Sequence, residues 1–211
     1  MAADSTSSRS VKIDSDERGG WSSDRPRRDG APPPPAALGV RGRTLRPAEL
    51  LRYAPGSLLV IVSGSPQARD ALVERTVDER GAPLSLDKVH ALLAARGAHD
   101  SERAQELLDA AVAKRLAAGE TVVLTAQGVG PEERERYVRM AAAHRRPCHL
   151  ILVEAGRGDV AEGDRPTLNE LRRALDAGEL GAEGFTTFLR LGGSSIGEVK
   201  RIVFRPASGE D

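Results

Sequence analysis

Apolar runs and helical stretches alternate along most of this chain. Leu58 to Val62 is an unbroken, β-rich apolar run, and Val122 to Leu124 and Leu150 to Val153 repeat the pattern. Runs that are apolar on both faces suit strands of a parallel sheet covered by helices on both sides. Between them the spacing predicts helices over Gln67 to Asp78, Asp87 to Ala95, Ser101 to Ala118 and Thr167 to Ala177. A further helix opens with Pro131-Glu132-Glu133 and closes with His144-Arg145-Arg146, charges that suit the helix dipole at both ends. Pro83 to Leu86 predicts a short strand and Val199 to Phe204 a final one. Two weaker segments are predicted helical: Pro47 to Tyr53, opened by proline and followed by Pro55-Gly56, and Glu183 to Leu191. The expected fold is a three-layer αβα domain over residues 46–211, built on a parallel sheet.

Residues 1–45 break this pattern. They are rich in Pro, Ser and Arg, with too little apolar surface to offset the entropy of ordering, and a disordered tail is expected. Pro32 to Pro35 favours a polyproline II spacer, and Trp21 is a lone aromatic among polar residues. The 31 basic and 31 acidic residues cancel, so no global field draws the chain to nucleic acid or to an anionic membrane. The single Cys148 excludes an intramolecular disulfide and a multi-cysteine zinc site. With no apolar stretch long enough for a membrane span, the expectation is a cytoplasmic protein with no membrane partner.

The most informative segment is Gly64-Ser65-Pro66-Gln67-Ala68-Arg69-Asp70-Ala71, between the first apolar run and a helix. A phosphate-binding loop belongs there. Such a loop, G-x-x-x-x-G-K-[ST], uses its second glycine for close backbone approach, its lysine for the β- and γ-phosphates and its hydroxyl for magnesium. Here Gly64 fills the first position, while Arg69, Asp70 and Ala71 stand at the other three. An aspartate in place of the lysine sets like charge against a triphosphate, and the loop is expected not to hold one. The helix N-terminus near Gln67 keeps a dipole suited to a lone small anion.

Downstream come Ser85-Leu86-Asp87-Lys88-Val89-His90, then Arg115-Leu116-Ala117-Ala118-Gly119 leading into Thr121 to Leu124, Thr125-Ala126-Gln127-Gly128 and Pro131-Glu132-Glu133-Arg134. This order and spacing resemble the bacterial P-loop kinases of the polynucleotide 5′-kinase and zeta-toxin type, an AAA-class family, over residues 46 to 154. The resemblance implies a Ser-x-Asp motif whose aspartate, here Asp87, takes a proton from an acceptor hydroxyl. It also implies a Walker B acid where Thr125 stands and an asparagine where Gly128 stands. Beyond Val153 it implies a lid whose arginines, here Arg157 and Arg165, close on the transferred phosphate.

Each of these residues has a plainer reading. Asp87 precedes an apolar-periodic run and suits a helix N-cap, the reading favoured here. Lys88 and His90 suit a helix surface, though Lys88 is the one lysine positioned to replace the missing loop lysine. Arg157 and Arg165 sit among acids in a polar loop, and Cys148 and His149 lead into a strand and are structural. Three functions remain open. The first is a catalytically degenerate pseudoenzyme, a binding or regulatory module with a protein partner and no cofactor. The second is a divergent phosphotransferase with Asp87 as base, ATP and magnesium as cofactors, and Gly64, Ser65, Gln67, Arg69, Lys88, Arg157 and Arg165 as the nucleotide or anion site. The third is a nucleic-acid adaptor acting through the arginine-rich tail.

Overall fold

The computed structural model describes residues 42–156 and 158–206. Among the described residues, eight strands and seven α-helices follow one another from β1 (Arg43–Thr44) and β2 (Leu50–Tyr53) to β3 (Leu58–Ser63), α1 (Pro66–Thr76) and β4 (Pro83–Ser85). Next come α2 (Leu86–Ala94), α3 (Ser101–Ala118), β5 (Val122–Thr125), α4 (Pro131–Ala143) and β6 (Cys148–Val153). A 3₁₀ turn at Glu162–Asp164 leads into α5 (Arg165–Asp176), α6 (Leu180–Glu183), β7 (Thr187–Leu191), α7 (Ser195–Glu198) and β8 (Arg201–Phe204). Six strands form one parallel sheet in the order β1-β7-β6-β3-β5-β4. β3, β5 and β6 are buried along their whole length, as their two-sided apolar runs require.

Alternate residues of these strands feed two cores. Leu58, Val60, Val62, Leu124, Leu150 and Leu152 pack with α3, α4 and α5, whose buried residues include Leu108, Tyr137 and Leu171. Leu59, Ile61, Val123, Ile151 and Val153 face the other way, toward α1 through Leu72 and Val73. The same second layer contains a small parallel sheet of β2 and β8, which contributes Leu51, Tyr53 and Ile202. The architecture is three-layered α/β with a parallel sheet. Among the described residues no helix is long and apolar enough to cross a membrane.

Three expectations are corrected. Pro47 to Tyr53 is not a helix: Leu50–Tyr53 pairs with Arg201–Phe204, and the alternation of buried Leu51 and Tyr53 with exposed Leu50 and Arg52 is a strand's period of two. Glu183 to Leu191 is not a helix either. The helix there ends at Glu183, Gly184 takes a left-handed φ of 108°, and Thr187–Leu191 joins the main sheet beside β6. The third concerns Asp87. Ser85 is the N-cap of α2, its Oγ accepting from Lys88 N at 3.2 Å, and Asp87 lies inside the first turn. The expected tail lies outside the described residues except for Gly42 to Leu45, of which Arg43 and Thr44 pair with β7.

Arg145, just past α4, is exposed and holds φ at 55°, a left-handed conformation that costs a non-glycine residue. Arg145→Gly should therefore raise the unfolding free energy by a few tenths to about 1 kcal/mol, measured by urea denaturation.

Candidate functional site

The C-terminal ends of β3 and β5 and the start of α2 meet at the place where an open parallel α/β sheet binds ligands. Only Gly64 and Ser65 separate β3 from α1. The helix thus begins at the third of the eight loop positions, and Arg69, Asp70 and Ala71 all lie within it. Pro66 has no N–H, and Ser65 Oγ accepts from Ala68 N at 3.4 Å. Ser65 N in turn donates to Ser63 Oγ at 3.1 Å, and Ser65 Oγ contacts Gln67 Oε1 at 3.3 Å. Of the backbone donors that a phosphate nest would use, Ser65 N, Ala68 N and Arg69 N are bonded within the chain and Pro66 has none. Space is closed as well. A Cβ on Gly64 would lie 2.9 Å from Val160 Cγ1 and 3.4 Å from Leu168 Cδ2, so buried apolar side chains sit directly over the loop.

Arg69 fills the remaining interior. Its side chain is 1% exposed, with Nε donating to Asp70 Oδ1 at 2.8 Å, Nη1 to the Ala126 carbonyl and Nη2 to Asp87 Oδ2 at 3.4 Å. Asp87 Oδ2 also accepts from Gln127 Nε2 at 3.2 Å. Thr125, where the resemblance implies a Walker B acid, is buried, and its hydroxyl donates to the Leu84 carbonyl at 3.5 Å. The following turn is closed by Glu133, which accepts from Gln127 N and Gly128 N, both at 3.0 Å. Lys88 is exposed and, with Asp70, Glu74, Asp87 and Thr125, borders a cleft of about 140 Å³.

Arg165 stands apart from this group. It is half-buried at the start of α5 and lines a separate cavity of about 340 Å³ with Ala155, Asn169 and Arg172. Val160 and Leu168, the residues over Gly64, line it too. Arg172 is held by Glu154, which also accepts from Arg190 Nε at 2.7 Å. Burial works to raise the Glu154 carboxyl, but the two arginines outweigh it and hold the group below its usual range. Arg157 lies outside the described residues. The structure thus brings Arg69, Asp87 and Lys88 together at one crevice, holds Ser65 and Gln67 at the start of α1, and sets Gly64 against Val160 and Leu168 of the cavity that Arg165 lines. Sequence reasoning passed over the Ala126 carbonyl, Gln127, Val160 and Leu168, none of which carries a local signal for a site.

The family model of the AAA domain matches residues 63–166, from the last residue of β3 to the second of α5. Over these residues the chain is similar to an AAA domain. The matched segment spans the crevice and the start of α5, and leaves out Leu168, Asn169, Arg172 and Arg190. No curated protein sequence matches the chain. Among solved structures, a gluconokinase from Sinorhizobium meliloti 1021 aligns over 67% of this chain and 84% of that one, at 19% identity. The TM-score of that superposition is 0.35, too low to bear on this chain's fold or activity.

Proposed function

We propose that this is a catalytically degenerate P-loop kinase-like protein, of the polynucleotide 5′-kinase and zeta-toxin type, that acts as a cytoplasmic binding or regulatory module for a protein partner. One observation carries the reading. Helix α1 starts two residues after β3, beneath Val160 and Leu168, where a kinase needs an open loop of backbone donors. Phosphoryl transfer relies on positioned cations and backbone N–H groups, and the residues here do not fit a triphosphate with magnesium. Arg69 fills the interior, Asp70 adds negative charge, and Ala71 offers magnesium no hydroxyl.

Calorimetric titration of the full chain with ATP and GTP in the presence of magnesium should give no binding heat at millimolar nucleotide. Micromolar binding that is lost on Asp87→Asn or Lys88→Ala would overturn the proposal in favour of a divergent phosphotransferase. That second reading has one observation in its favour: Asp87 and Lys88 stand together at the rim of the 140 Å³ cleft. Against it, the Asp87 oxygen that faces the crevice already accepts from both Arg69 and Gln127. A nucleic-acid adaptor acting through the tail would instead bind with a steep salt dependence that disappears on deleting residues 1–41.

A further inference from the structure

We infer that the interior of the crevice is a guanidinium-binding site whose ligand, the Arg69 side chain, is built into the chain. The acceptors come from three separate elements: Asp70 from α1, Asp87 from α2 and the Ala126 carbonyl just past β5. Gln127, next to Ala126, donates to the same Asp87 oxygen that Arg69 reaches, so a ring of bonds joins α1, α2 and the turn after β5. The two carboxylates are the rim of this site and the cation its interior. Asp70 is 49% and Asp87 60% exposed, against 1% for Arg69.

The acceptor arrangement selects the chemistry. Nε, Nη1 and Nη2 each donate to a different residue, which matches the planar fork of a guanidinium and does not match the compact head of an ammonium. In an open α/β sheet a bound ligand ordinarily links the loops at the strand ends. Arg69 supplies that link from within, whether or not the domain serves a partner.

The test is chemical rescue. Arg69→Ala in the full chain opens the site, and thermal unfolding is followed with methylguanidinium chloride at roughly 20 mM, too dilute for measurable denaturation. The expected result is a saturable rise in melting temperature of several degrees, given by methylguanidinium and not by methylammonium or sodium chloride. It should be absent from the natural chain, and adding Asp87→Ala to Arg69→Ala should weaken it without abolishing it, since Asp70 and the Ala126 carbonyl remain as acceptors. No rise, or an equal rise with methylammonium or in the natural chain, overturns the inference. A second measurement needs no truncated arginine. The Arg69 Nε–H of the natural chain should exchange with water far more slowly than that of exposed Arg103, and Asp87→Ala should speed it together with the amides of residues 126–128. Exchange at the Arg103 rate, or exchange that Asp87→Ala leaves unchanged, also overturns it.

Discussion

Lowering the pH from 6.5 to 4 should cost the folded domain about 3 kcal/mol through His149 alone. This imidazole is 5% exposed in the middle layer, its Nδ1 2.8 Å from Thr187 Oγ1 and its ring 4.6 Å from that of Tyr53 on β2. Burial lowers its pKa from 6.5 to about 4. Above pH 6.5 the ring is neutral in both folded and unfolded chains, and its contribution is fully present. Below that the unfolded chain takes up the proton while the folded one resists it down to about 4, so stability falls across this window. About 2 kcal/mol should be gone by pH 5, before most carboxylates titrate. Urea unfolding at pH 7 and pH 5 measures the loss, and His149→Phe, which keeps a ring against Tyr53, should remove it. An unchanged pH dependence in that variant would show that other groups carry the acid sensitivity.

Arg69→Met should lower the unfolding free energy by about 2–4 kcal/mol, from lost packing and from the Ala126 carbonyl left without its donor. Asp87→Ala should cost under about 1 kcal/mol, since an exposed carboxylate gains little from its ion pair. The contrast is the informative quantity. Denaturation midpoints of the two variants at neutral pH provide it, and equal losses would mean that Asp87 is as deeply committed to the crevice as the arginine.

What the sequence reveals and what it hides follow from how far apart the interacting residues lie. β3, β5 and β6 are legible because each is a local run apolar on both faces, and α3 because its start at Ser101 and its left-handed Gly119 cap are local signals. β2 is hidden because its partner strand lies some 150 residues along the chain, and Leu50-Leu51-Arg52-Tyr53 is too short to distinguish a period of 2 from one of 3.6. β7 is hidden behind the helical turn at Leu180–Glu183, which ends only at Gly184. At the crevice, the missing glycine, lysine and hydroxyl are plain from Arg69, Asp70 and Ala71. That the arginine turns inward is not, because its acceptors Asp87 and Ala126 are 18 and 57 residues away. Nor does any local pattern place Val160 over Gly64.

The outer strands of the main sheet bear on how this protein behaves in concentrated solution. β1 is only two residues long and carries Arg43, and β4 is three residues long and opens with Pro83, which has no N–H to offer. Unpaired edges of a sheet are templates for the strands of other chains, and short, charged or proline-bearing edges deny them a foothold. Both margins are blunted in this way, so the long apolar strands at the centre stay out of reach of neighbouring molecules as long as the sheet holds. Substitutions that weaken the crevice while sparing β1 and β4 should therefore leave the protein monodisperse, without the fibrillar growth that a bare apolar margin would seed.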